Sequence, residues 1–180
     1  MSDLPYLDPT LSAAERTDDL LGRLTLAEKA GQLTQYFYFG TGELPDEATL
    51  AALPQEAREA AQQPAMVEAA LEAGATGSLL FVKDAALANK LQRKALAGSR
   101  LGIPVIFGFD VIHGLRTILP APIALAASWS PETISAGQTV AAREARSIGI
   151  SWTFAPMVDI ARDPRWGRIV EGAGEDPVLG

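Results

Sequence analysis

Short apolar runs alternating with helical stretches constrain this chain more than any other feature. Residues 78–82 (Ser-Leu-Leu-Phe-Val), 103–107 (Ile-Pro-Val-Ile-Phe) and 151–155 (Ser-Trp-Thr-Phe-Ala) read as strands. Runs of β-branched and aromatic residues without polar interruption suit a sheet covered on both faces. Between them, residues 84–98 repeat Leu87, Leu91 and Ala95 at helical spacing, and residues 131–149 open on Pro131 and close near Gly149. Proline inside the start and glycine near the end is the asymmetry helices favour. Strands separated by helices pair in parallel, so the expected fold class is α/β.

The N-terminal third is less regular. Residues 1–12 read as an extended lead-in. A helix is expected over 13–24, with Leu20, Leu21 and Leu24 on one face. Thr25 and Glu28 fit a capping box that opens a second helix, whose apolar repeat is Leu26, Ala30 and Leu33. The aromatic run 36–39 is compatible with a helix end or a strand. Residues 40–64 hold Gly40, Gly42, Pro45, Pro54 and Pro64 and read as an insertion with a short surface helix at 48–63. A separate helix is expected at 66–73, ahead of Gly74 and Gly77.

Composition excludes several function classes. Fifteen basic against 22 acidic residues give a net charge of −7, which disfavours nucleic acid or an anionic membrane as partner. No cysteine is present and His113 is the single histidine, so disulfides, thiolate chemistry and a multi-histidine zinc site are excluded. No cofactor motif is found: Gly172-Ala173-Gly174 lacks the strand-to-helix setting of a dinucleotide fingerprint. The N-terminus lacks the basic start and apolar run of an export signal. The longest apolar stretch is broken by Pro120 and Pro122. The chain is expected to be soluble and cytoplasmic.

Charged residues concentrate in the loops after the last two strands. Asp110 follows a dry strand directly, between Gly108 and Gly114, with His113 and Arg116 close behind. Arg162, Asp163, Arg165 and Arg168 follow the next strand, then Glu171, Glu175 and Asp176. Parallel strands deliver both loops to one end of the sheet. A carboxylate only accepts hydrogen bonds and a guanidinium only donates, so a ligand meeting both carries groups that do both, as sugar hydroxyls do. Arg162 and Arg165 are expected to pair with Asp163, and Arg168 to serve function. His113 is expected to brace its loop; no spacing joins it to Asp110 and Ser128 as a hydrolytic triad. Asp176-Pro177 reads as a cap and first-turn proline, so a helix is just starting where the sequence stops.

Two motifs carry a family resemblance. Gly-Ile-Pro-Val-Ile-Phe-Gly-Phe-Asp-Val-Ile-His-Gly at 102–114 and Thr-Phe-Ala-Pro-Met-Val-Asp-Ile-Ala-Arg-Asp-Pro-Arg-Trp-Gly-Arg at 153–168 resemble glycoside hydrolase family 3. Glu171 and Gly174-Glu175-Asp176-Pro177 extend the match. Residues 24–29 and Gly31-Gln32-Leu33 are similar to the family's N-terminal helix signature. The periplasmic bacterial β-glucosidases are the branch most resembled, which would allow a periplasmic parent. Val111-Ile112-His113-Gly114 in place of an acidic-Gly-Gly stretch favours the glucosidase or xylosidase branch.

The resemblance implies the first strands and helices of a (β/α)8 TIM-like barrel, with residues 1–180 as a truncated N-terminal part. It implies retaining hydrolysis of terminal non-reducing β-D-glucosyl residues. Asp110, Arg116 and Arg168 match residues around that sugar, with Glu171 orienting Arg168. The family's nucleophile and acid/base match nothing in this chain, so the chain alone is expected to be inactive. Alternatives are a non-catalytic carbohydrate-binding fragment or a β-xylosidase. The expected partners are β-linked glucosides or oligosaccharides, and open barrel edges would favour self-association.

Overall fold

The structure, a computed structural model, describes residues 4–40, 43 and 45–178. Helices α1 (Ala13–Arg23) and α2 (Leu26–Gln32) precede strand β1 (Gln35–Phe37). Helices α3 (Glu47–Ala52) and α4 (Gln55–Glu72) lead to β2 (Ser78–Leu80). Helix α5 (Ala85–Gly98) leads to β3 (Ile106–Phe109). Helices α6 (Pro122–Ala126) and α7 (Pro131–Ser147) lead to β4 (Trp152–Thr153).

The four strands are parallel and lie in chain order, β1-β2-β3-β4. An order that never reverses, with right-handed crossovers, puts the helices on one side of the sheet. A doubly wound sheet would instead reverse at a switch point. The arrangement is that of a partial TIM-like barrel. Register fixes the two faces. Tyr36 pairs with Leu79, which pairs with Phe107, and all three pack with Val67 and Leu71 of α4 and Leu91 of α5. Phe37, Ile106 and Trp152, which stand out of phase with that set, are 49%, 49% and 44% exposed. A second cluster joins Ala141 and Ala145 of α7 to Val111, Ile148 and Ile150.

Local chemistry explains where elements begin. Thr25 Oγ1 accepts from the Glu28 N–H at 3.2 Å while the Glu28 carboxylate accepts from the Thr25 N–H at 2.8 Å, the expected capping box. Ser12 and Glu15 form a second box at α1, which the sequence reading passed over. Of the aromatic run 36–39, Tyr36 and Phe37 belong to β1 and Tyr38 and Phe39 follow it; Tyr36 and Tyr38 turn toward the helices, and Tyr38 donates to the buried Glu68 at 2.8 Å.

Four expectations are corrected. Strand β3 starts at Ile106, not 103, because the Gln92 side chain takes both backbone groups of Val105, at 2.9 and 3.3 Å. No helix boundary falls at Pro64: α4 runs through it, and the buried ring sits against Tyr38 and Gly40. The lead-in is not simply extended, since Pro5–Leu7 forms a 3-10 turn that buries Tyr6 with Leu24 and Leu101. The apolar repeat of α2 does not face the core: Leu26 and Leu33 are 85% and 90% exposed. That helix is instead seated through Gly31, where a Cβ would lie 2.6 Å from the Gly74 carbonyl oxygen.

Candidate functional site

Loops following β3 and β4 leave the same end of the sheet, because Gly108 and Phe109 pair in parallel with Trp152 and Thr153. Gly108 is no hinge for Asp110; it lies within β3, and a Cβ there would meet the Phe154 ring at 2.9 Å. Gly114 is the conformational glycine, with φ of 100°, a region that side chains avoid. Asp110, His113 and Arg116 are all exposed. The main-chain carbonyl of His113 accepts from Leu119 N–H at 2.7 Å, while its side chain is exposed.

The outer part of this loop is held from α7. Glu144 accepts from the backbone N–H groups of Arg116 and Thr117 at 2.8 and 2.9 Å and from the Thr117 hydroxyl at 2.6 Å. These bonds, the Thr117 hydroxyl first, hold the Glu144 carboxyl below its ordinary value, with a smaller contribution from Arg116. Glu144 was missed in the sequence because one glutamate on a helix carries no signal of a loop nearly thirty positions earlier.

Arg168 closes the second loop. Its Nε donates to Glu171 Oε1 at 3.0 Å and a terminal nitrogen donates to Oε2, a two-pronged fork. Glu171 ends a 3-10 turn, Ile169–Glu171. The fork raises the Arg168 pKa, and the charges of Asp110 and Asp159 add to it. The same fork, aided by the Arg168 charge and by His113, lowers Glu171. Asp110, His113, Asp159, Arg168 and Glu171 therefore share one electrostatic neighbourhood, although nearly sixty positions separate Asp110 from Arg168. Arg116 is felt by Glu144 on the α7 side.

Arg165 does pair with Asp163, through its Nε at 3.0 Å to both carboxylate oxygens. Ser128 donates to the Leu125 carbonyl at 2.6 Å and is spent on the α6 terminus. Asp176 accepts from Val178 N–H at 2.7 Å, as a cap does. A cavity of about 590 Å³ lies beside this site, lined by Ile134, Ala141, Trp152 and Met157, with Glu171 at its wall. Its apolar lining offers few of the paired donors and acceptors that hydroxyls require.

The sequence model of the glycosyl hydrolase family 3 N-terminal domain matches residues 25–180. This chain belongs to glycoside hydrolase family 3. The periplasmic β-glucosidase of Salmonella typhimurium is 37% identical over 161 residues, covering 89% of this chain and 18% of that protein. The periplasmic β-glucosidase/β-xylosidase of Dickeya chrysanthemi is 31% identical, covering 97% and 28%. Among solved structures, the β-glucosidase of Listeria innocua in complex with glucose superposes with a TM-score of 0.74 at 36% identity, covering 93% of this chain and 22% of that one. The same enzyme is described with laminaribiose as a D270A mutant, in its own numbering. The chain thus spans 18% to 28% of the length of these family 3 relatives. No helix among the described residues is long and apolar enough to cross a membrane.

Proposed function

We propose that the protein carrying this family 3 segment is an exo-acting, retaining β-glucosidase, and that Asp110, Arg116 and Arg168 bind its terminal glucosyl unit. The observation that carries this reading is that β3 and β4 pair in parallel and release the loops bearing Asp110 and Arg168 at the same, C-terminal end, the end where barrel enzymes work. Glu171 uses the Nε edge of Arg168 and leaves the other terminal nitrogen to donate. Asp110 can only accept. A vicinal diol satisfies both at once, and each charge-assisted bond contributes about 1.5–3 kcal/mol.

Retaining hydrolysis needs two carboxyls about 5–5.5 Å apart across the bond. Neither is assigned to this chain. Glu171 and Asp163 are each engaged by an arginine, and Asp110 is reserved for hydroxyls. The 180-residue chain by itself is expected to give no turnover of an aryl β-glucoside. In the full-length protein, Asp110→Ala is expected to lower kcat/KM on that substrate about a hundredfold, the equivalent of one charged contact made in the transition state. Unchanged kinetics would sink the assignment.

A β-xylosidase is the second reading, favoured by the double name of the Dickeya relative; parallel assays on aryl glucoside and aryl xyloside decide it. For the compartment, the names of the Salmonella and Dickeya relatives favour the periplasm over the cytoplasm, and cell fractionation tests this. Strands β1 and β4 stand at the edges of the described sheet. The isolated chain is therefore expected to self-associate in ultracentrifugation.

A further inference from the structure

The loop that carries Arg116 is fixed at its base, its flank and its tip. At the base, the Leu119 N–H donates to the His113 carbonyl at 2.7 Å, and Gly114 bridges to Ile118. On the flank, Leu115 and Leu119 pack against the apolar cluster built on Ala141 and Ala145 of α7. At the tip, one Glu144 oxygen accepts from the backbone N–H groups of Arg116 and Thr117, and the other accepts from the Thr117 hydroxyl. Ala141, Glu144 and Ala145 share one face of α7, so a single helix face supplies both the packing and the grip.

Two features set the tip apart from an ordinary loop anchor. The base alone closes the turn, and Gly114 is what lets it close: its φ is 100°, and a Cβ there would run into the Thr117 carbonyl oxygen. Glu144 is therefore not needed to form the turn, and both its oxygens are used on residues 116 and 117. Arg116, by contrast, has its backbone captured while its side chain is exposed and makes no hydrogen bond or ion pair among the described residues. An arginine on a free loop loses backbone and rotamer freedom together when it grips a ligand. Fixing the backbone beforehand removes one part of that cost.

We propose that Glu144 is a positioning residue of the glucosyl site: it presets the backbone of Arg116, so that the guanidinium meets a sugar hydroxyl without the loop having to order on binding. This deepens the glucosidase reading above and rests on its placement of Arg116. Glu144 acts through Arg116 and not on the sugar.

The test is a double-mutant cycle in the full-length protein, reading kcat/KM on an aryl β-glucoside together with the melting temperature. Glu144→Ala is expected to lower kcat/KM about tenfold. Glu144→Gln is expected to recover most of that loss, because its amide oxygen can accept from both N–H groups while its NH2 donates to the Thr117 hydroxyl. In an Arg116→Ala background, Glu144→Ala is expected to change kcat/KM by less than about twofold, while lowering the melting temperature as much as it does alone. A purely structural grip would give the same activity loss in both backgrounds; that result, or full activity in Glu144→Ala, overturns the positioning role alone. Thr117→Val removes one of the three bonds and keeps both backbone donors, so it gives the same comparison at about threefold if Glu144→Ala does not fold. Unaltered kinetics in Arg116→Ala would overturn the placement of Arg116 at the sugar, and the positioning role with it. No hydrolysis by the unaltered protein would overturn the glucosidase reading itself.

Discussion

At the N-terminal ends of the strands the backbone itself is in contact. A Cβ on Gly77 would fall 2.1 Å from the Gln32 carbonyl oxygen, and Gly31 lies against Gly74 and Ala75. Tyr6 donates to the Leu101 carbonyl at 3.0 Å across ninety-five positions. Arg100 donates to both oxygens of Glu28 and to the Arg23 carbonyl. At the C-terminal ends the same strands release exposed loops, with Asp110, Arg116 and Arg168 open to solvent. One end is closed by contacts that leave no room. The other carries arginine–carboxylate forks and the Glu144 grip over a more open surface, with Asp110 exposed. Parallel strands produce that asymmetry, since every helix returns the chain to the same starting end and every site loop leaves from the other.

Substitutions at the two ends should behave differently. Gly77→Ala attacks the closed end at a backbone contact, and about 3 kcal/mol of stability should be lost; thermal melting measures it, and an unshifted transition would mean the two segments can part. Asp110→Ala attacks the open end. Its melting transition should stay in place while activity in the full-length protein falls, so a large loss of stability would show Asp110 to be structural after all. Tyr6→Phe removes one buried hydrogen bond at the closed end and should cost about 1 kcal/mol by denaturant titration.

The smallest effect is one of pH. The Arg100 fork, with the Thr25 N–H, holds the Glu28 carboxyl down to about 2 from an ordinary 4.5. A carboxyl depressed in the folded state stabilises above its unfolded value, and that contribution is lost as pH falls through the folded value. The pair's contribution should therefore be complete above pH 4.5 and fade toward pH 2. Glu28→Gln should flatten that part of the acid branch in melting curves. An identical acid branch in the variant would assign the pH dependence to other carboxyls, such as Glu171 at the open end.

Much of the frame was legible before the structure. The β2–α5–β3 and α7–β4 units follow from apolar runs and periodic helices. The Thr25–Glu28 box was read because both partners lie within one turn. Misreadings came from longer range. Gln92 replaces strand pairing at Val105, so β3 starts late. Tyr38 and Gly40 receive Pro64, so α4 continues through it. Periodicity identified α2 as a helix but misjudged what it buries, because Gly31 rather than Leu26 makes the contact. For the candidate site, the motifs named Asp110, Arg116 and Arg168. Glu144 had no local signature. The alternation of Tyr36 and Phe37 hinted at the two faces of β1, since neighbours in a strand face opposite ways.

The sequence by itself determined the main helices, two of the strands, their parallel pairing and the family, because periodicity, caps and motifs are written within a few turns of chain. Only the tertiary structure decided which residues share a field. Arg168 meets Glu171 one turn away, but it feels Asp110 solely because β3 and β4 lie side by side. Charge interaction depends on distance through space, and hydrogen-bond capture depends on angle. Neither is recorded in the spacing of residues along the chain.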